Sequence, residues 1–271
     1  MIEVLQYGFI QRALIASIFG GIACGIVGVW VILLSIPFVG VAMAHAAFAG
    51  AIFGLLFNIN PIFSALLFSL VSSFFIGPIA DKGGFSPNIS ISLIFSFVLG
   101  LAFLGIGFLK ETKTQALDYL WGNILTISWG QVLFLIIIFI ILMIIIKILH
   151  KEILAVLFNR EIARASGIPE KYIFYLLLIL SSATVTLNLS TIGGLLVFSL
   201  IIGPSSAAYQ ISHNLKGMYL LSSLFAVISC ITGLALSYLF NVPTGAIIIM
   251  IASIIFFISL VFSPKRKMIR I

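Results

Sequence analysis

The sequence predicts an all-α protein, a polytopic bundle of about eight or nine transmembrane helices. Of its 271 residues, 62% are hydrophobic and only 8% are charged, and the mean hydropathy is +1.33. A soluble domain usually carries about a quarter charged residues, so this chain cannot cover its surface for water. The hydrophobic residues extend along the entire chain. We therefore expect one transmembrane domain over residues 1–271, with the lipid bilayer as part of its solvent.

Long stretches without Asp, Glu, Lys or Arg predict the spanning helices, because about 20 residues cross the hydrocarbon and lipid offers the backbone no hydrogen-bond partner. Only Ser190 and Thr191 separate the sixth stretch from the seventh, so the pattern also allows a re-entrant or broken helix over residues 172–212. The stretches are Ala13–Leu34, Val39–Phe57, Pro61–Ala80, Ile89–Leu109, Trp129–Ile146, Tyr172–Leu189, Ile192–Ser212, Met218–Phe240 and Pro243–Ser263.

The net charge of +7 could suggest nucleic acid, but the basic residues lie between apolar stretches, which favours an effect on membrane orientation. If the connection Lys151–Lys171 is cytoplasmic, the other connections fall alternately outside and inside the membrane. Only three basic residues are then outside: Arg12, Lys110 and Lys113. The bias predicts an external N-terminus and a cytoplasmic C-terminus in the cytoplasmic (inner) membrane. The basic residues predicted inside are Lys82, Lys147, Lys151, Arg160, Arg164, Lys171, Lys216, Lys265, Arg266, Lys267 and Arg270.

Two connections have features of their own. Lys110–Ser128 is predicted to be an external interfacial helix with aromatic anchors. Within residues 158–168, Asn159 is a good N-cap, and Gly167 can adopt the left-handed conformation that ends a helix. This pattern predicts a short cytoplasmic helix, either a solvated loop helix or a coupling helix through which an ATP-hydrolysing subunit moves the bundle.

Five segments, in this order and over nearly the full chain, resemble one known family. It is the permease subunit of ATP-binding-cassette importers for the divalent transition metals zinc, manganese and iron. Glycine- and alanine-rich patterns are common in membrane helices, so the order of the five segments carries the resemblance. The segments are Cys24–Val31, Trp121–Trp129, Glu161–Ile168, Gly194–Ala208 and Val242–Ala246.

The resemblance implies a set of partners and no enzymatic activity or bound cofactor for this chain. Two copies would form a homodimer around the pathway, a pair of ATP-binding subunits would dock on the coupling helices, and an extracellular metal-binding protein would deliver the ion. Consistent with ATP binding by separate subunits, the sequence contains no Gly-Lys pair and therefore no G-x-x-x-x-G-K-[ST] phosphate loop. The residues implied in ATPase coupling are Asn159, Arg160, Glu161, Ala163, Arg164 and Gly167.

His45 is the only His, Asp, Glu, Lys or Arg within the nine predicted spans, and it is the candidate metal ligand. A histidine hydrogen-bonded to a neighbouring helix is the structural alternative. The family usually has Gly-Asp-Ala shortly before this histidine, whereas Val41 occupies the aspartate position here. Losing a carboxylate weakens the case for manganese and favours a softer ion such as zinc. A chelated or non-metal cargo remains open.

Gly203 and Pro204 predict a kink in the seventh span that could take part in gating, although close helix packing explains the same residues. A stand-alone secondary transporter or channel is the alternative class of function. Proton or sodium coupling usually involves intramembrane carboxylates. No Asp or Glu lies within a predicted span, which disfavours that class.

Overall fold

The computed structural model describes residues 7–109 and 124–265, which contain eleven α-helices, a short 3-10 turn at Ile124–Thr126 and no strand. The all-α prediction is confirmed. The helices are α1 Gly8–Leu33, α2 Val39–Leu56, α3 Pro61–Gly83, α4 Pro87–Phe108, α5 Trp129–Ile148, α6 His150–Phe158, α7 Arg160–Ala165, α8 Glu170–Ile192, α9 Gly194–Ile211, α10 Leu215–Phe240 and α11 Thr244–Val261.

Eight helices of the described ranges are long and apolar enough to cross a membrane: α1 to α5, α8, α10 and α11. The ninth, α9, returns to the face where α8 begins. Its residue Tyr209 lines one cavity together with Leu33 at the end of α1, Phe158 at the end of α6 and Leu215 at the start of α10. The prediction of eight or nine spans is therefore confirmed, whereas the side of the membrane on which each terminus lies stays a prediction.

The break between α8 and α9 is a single residue, Gly193, rather than the predicted Ser190 and Thr191. Gly193 has a φ of 100°, a backbone conformation that residues with a Cβ rarely adopt. The chain therefore reverses only at this glycine, and α8 extends three residues further than its apolar stretch indicated.

α1, α2 and α8 are the most buried of the eight spanning helices and form the centre of the bundle, where glycines allow close approach. A Cβ on Gly25 would lie 2.7 Å from the backbone of Ser223 in α10. At the same crossing, the Ser222 hydroxyl donates to the Gly25 carbonyl at 2.8 Å. Small residues at a helix crossing permit backbone approach and interhelical hydrogen bonds in lipid, where no hydrophobic force drives helices together.

α4, α5 and α11 lie at the periphery and carry large exposed apolar side chains, including Phe97, Phe108, Phe134 and Phe257. A surface of this kind suits contact with lipid or with another membrane subunit. Most of the predicted interfacial helix, residues 110–123, lies outside the described residues.

Candidate functional site: the α7 face and the membrane histidine

The start of α7 is set by Asn159, as the sequence predicts. Its side-chain oxygen accepts the backbone N–H groups of Glu161 at 2.8 Å and of Ile162 at 3.1 Å. The first N–H groups of a helix have no partner within the helix, so this cap stabilises a segment of only six residues.

The end of α7 is set by Gly167, whose φ of 80° is the predicted left-handed conformation. The Gly167 N–H donates to the Arg164 carbonyl, and the Ile168 N–H donates to the Ala163 carbonyl, both at 3.0 Å. Together the two bonds satisfy the last carbonyls of the helix and turn the chain into α8.

Both arginines of α7 bind one carboxylate at the edge of the bundle, and the Arg164 side chain stays 63% exposed. Glu170, the first residue of α8, has a side chain only 1% exposed. Arg160 binds it through Nη2 at 2.8 Å and through Nε at 2.9 Å. Arg164 binds it through Nε at 3.0 Å and through Nη2. The hydrogen bond and the charge of Glu170 raise the pKa of Arg164, so its guanidinium remains charged.

Asp81, near the end of α3, extends this group of charges. Its carboxylate lies 3.7 Å from Arg160 and 3.6 Å from Lys171, and it accepts the Tyr175 hydroxyl at 2.8 Å. The Arg160 guanidinium also lies over the Phe174 ring, 4.1 Å from its centroid. Residues of α3 and α8 thus meet beneath α7.

Sequence reasoning missed Asp81, Glu170 and Tyr175. Asp81 and Tyr175 pair across 94 residues, which leaves no local pattern. Glu170 lies only six and ten residues from its two arginines, but the turn after α7 separates them, so no helical spacing relates them. The available signal was the position of both carboxylates at ends of apolar stretches that alternate counting places on the same side.

Two large apolar side chains, one at the end of α6 and one in α7, face away from the bundle. Phe158 and Ile162 are 80% and 55% exposed, and Glu161 is exposed beside them. Ala163 is buried, so it packs α7 onto the bundle, and its predicted role in ATPase coupling stays a prediction. α6 and α7 enclose a groove of about 420 Å³, lined by Lys151, Leu154, Ala155, Phe158, Ile162, Ala163 and Ser166.

His45 is half-buried in α2 and oriented by two contacts. Its Nδ1 lies 2.9 Å from the Val41 carbonyl, and its ring meets the Phe95 ring edge-on, with centroids 5.1 Å apart. A carbonyl can only accept, so Nδ1 is the donor in this hydrogen bond, and Nε2 is the ring nitrogen left to act as a metal ligand. Met43, two residues before His45, is fully buried in the core and packs there.

In residues 7–109 and 124–265, no group of three or more His, Cys, Asp or Glu side chains could hold a metal ion. Three polar residues lie on α4, the helix whose Phe95 touches His45. Exposed Asn88, Ser92 and Ser96 follow one flank of α4, next to the Phe95 that touches His45. Spanning helices rarely present such a stripe to lipid, so this flank suits water or another protein surface.

Gly203 and Pro204 do not interrupt α9, which is helical throughout. A Cβ on Gly203 would lie 3.4 Å from Ala252 of α11, an ordinary packing distance. The Ser205 hydroxyl donates to the Ile201 carbonyl at 2.5 Å, in the turn where proline removes a backbone donor. Close packing accounts for these contacts, and a role in gating stays a prediction.

Comparison with known proteins agrees with this architecture. The sequence matches the model of the ABC 3 transport family over residues 6–263. It is 32% identical to the manganese transport system membrane protein MntC of Listeria innocua, over 98% of this chain and 95% of that one. It is 30% identical to the manganese import system permease protein ScaB of Streptococcus gordonii, again over 98% and 95%.

A solved structure extends the likeness to the fold. PsaBC from Streptococcus pneumoniae, in complex with Fab, superposes with a TM-score of 0.86 at 30% identity, covering 98% of this chain and 96% of that chain. With its bundle of spanning helices and its full-length match to the family model, the chain belongs to the ABC 3 transport family and is a membrane permease.

Proposed function

We propose that this chain is the membrane-spanning subunit of an ATP-driven importer that moves a divalent transition metal ion across the cytoplasmic membrane. The observation that carries the proposal is its likeness, over 98% of its length, to permeases named for manganese transport. The capped α7 helix supports it, because a permease without its own ATPase needs an element that receives movement from one.

ATP hydrolysis is assigned to a separate pair of ATP-binding subunits. The groove between α6 and α7 is the proposed docking surface, with Phe158 and Ile162 as apolar anchors and Glu161 at its edge. Exposed apolar side chains around a concave surface are typical of a protein interface. Asn159 and Gly167 would define the shape of α7, and Arg160 and Arg164 would hold it against the bundle.

A second copy of the chain is the proposed partner at His45. One imidazole is an incomplete site for an ion such as zinc, which takes four ligands in most protein sites. Two copies related by a two-fold axis could place two His45 side chains on one pathway, with the polar flank of α4 as its wall. An extracellular metal-binding protein would load this pathway from outside.

The identity of the ion depends on Val41. Its carbonyl orients His45, and its side chain stands where a carboxylate would lie one helical turn from the imidazole. Imidazole without carboxylate suits zinc better than manganese. The named relatives favour manganese, so we include both ions in the test.

The proposal is tested in proteoliposomes that contain the permease, its ATP-binding subunits and the metal-loaded binding protein. Uptake of manganese, zinc and iron is measured with and without ATP. We expect ATP-dependent uptake that falls about tenfold or more in His45→Ala, the effect of losing one ligand contact. His213→Ala, outside the spanning helices, serves as the matched control. Uptake by the permease alone contradicts the proposal, and full uptake of every ion by His45→Ala removes His45 from the pathway.

A further inference from the structure

Four charged side chains form a compact group under α7, which we call the charge cluster: Asp81, Arg160, Arg164 and Glu170. Glu170 is its centre, because both guanidiniums bind its buried carboxylate. A buried carboxylate that loses its partners is strongly destabilised, so the pairs resist separation. The cluster therefore ties α7 firmly to the first turn of α8, and through Asp81 to the last turns of α3.

α7 depends on this attachment for its place. Isolated helices shorter than about 12 residues are marginal in water, and α7 has six. Apart from the buried Ala163, it meets the bundle mainly through its two arginines, whose guanidiniums bind Glu170, while Arg160 also approaches Asp81 and lies over the Phe174 ring. A force applied to the exposed face of α7 therefore reaches the spanning helices largely through Glu170 and Asp81.

α3 is well placed to carry that movement to α2, the helix of His45. A Cβ on Gly50 of α2 would lie 2.5 Å from the Ser64 carbonyl of α3, and a Cβ on Gly54 would lie 2.9 Å from Pro61. Gly77 of α3 similarly lies against the Tyr175 ring of α8. Helices packed this tightly move together, because packed interfaces do not deform continuously.

We propose that Glu170 and Asp81 are positioning residues, which transmit movement of α7 to α8 and α3 and thereby to the helix that carries His45. This inference rests on the proposed function and assigns a role to two residues outside the segment that resembles a coupling helix. Neutralising either carboxylate leaves the apolar docking groove intact but weakens the ion pairs that hold α7 against α8 and α3. ATP hydrolysis then continues while less metal moves for each ATP.

The first experiment measures metal uptake and ATP hydrolysis in the same proteoliposomes for Glu170→Gln, Asp81→Asn and the control Glu152→Gln. Glu152 lies in α6 and takes part in none of the ion pairs that the structure describes. We expect metal transported per ATP to fall about tenfold in Glu170→Gln, as for loss of one charged hydrogen bond. Hydrolysis should stay within about twofold of wild type, and Glu170→Asp should recover part of the ratio. A proportional loss of both activities, or an unchanged ratio, overturns the proposal.

The second experiment does not depend on transport. Hydrogen exchange of the amides of residues 161–168 is measured in the permease in nanodiscs. Glu170→Gln should accelerate this exchange about tenfold, and Glu152→Gln should leave it unchanged. Unchanged exchange in Glu170→Gln shows that the cluster does not hold α7, even if the wild-type complex transports. If Glu170→Gln does not fold, Asp81→Asn decides, since the Asp81 side chain is 18% exposed and its neutralisation is milder.

Discussion

Asn159→Ala tests the stability of α7 most directly, because it removes the one side-chain oxygen that accepts two backbone N–H groups of the helix. The Asn159 oxygen accepts the N–H groups of Glu161 and Ile162 at 2.8 and 3.1 Å, and alanine offers no acceptor. Replacing an N-cap asparagine by alanine reduces helix stability by about 1 kcal/mol. That free energy shifts the equilibrium between the folded and open forms of α7 about fivefold, since 1.4 kcal/mol is tenfold.

Hydrogen exchange followed by mass spectrometry measures this shift directly. The amides of residues 161–168 should exchange about fivefold faster in Asn159→Ala, if they exchange through local opening of α7. Amides of α1 should keep their wild-type rates. Asn159→Asp is the matched control, because its carboxylate accepts the same two N–H groups and interacts favourably with the positive helix start.

Two results would refute this reasoning. Wild-type exchange in Asn159→Ala would show that the cap does not determine the stability of α7. Equal acceleration in Asn159→Asp would show that asparagine acts through something other than acceptance of the two N–H groups.

Three further predictions concern the bundle and the pathway. A Cβ on Gly28 would overlap the Ile201 carbonyl of α9, so Gly28→Ala should destabilise the bundle by about 1–3 kcal/mol in thermal unfolding. Gly100→Ala is the control and should not destabilise the bundle, because a Cβ there meets open space. Equal melting temperatures of the two variants would contradict the close packing of α1 against α9 at Gly28. Val41→Asp should raise uptake of manganese relative to zinc in competition assays, because it adds a hard ligand near His45, and an unchanged ratio would exclude this position from ion selection. Thr186→Val removes the 2.6 Å hydrogen bond to Ser69 of α3, so it should reduce stability by about 0.6 kcal/mol, with Thr232→Val on the exposed face of α10 as control.

Apolar stretches predicted the spanning helices well, because lipid requires helices and their lengths follow from membrane thickness. Helix ends were less predictable. α1 starts at Gly8, five residues before its apolar stretch, and α3 continues through Asp81 and Lys82 to Gly83. Charged residues can extend a helix beyond the hydrocarbon, so an apolar stretch marks the lipid contact and not the helix end.

The local geometry of α7 was predictable, whereas its orientation was not. Asn159 and Gly167 act through the backbone of their own turn, so the residue types alone indicate their roles. Arg160 and Arg164 could have faced another subunit. Both bind Glu170 of α8, and Arg160 also lies 3.7 Å from Asp81, a contact that depends on the packing of α3 against α8.

The central claim is that the bundle moves metal only when ATP-binding subunits act on it through α7. The most direct measurement is metal accumulation against a gradient in vesicles containing the permease, with its ATP-binding subunits present or absent. We predict accumulation only with the subunits and ATP together, and loss of it when Phe158 and Ile162 are both changed to aspartate. Equal accumulation by vesicles that lack the subunits would contradict the claim.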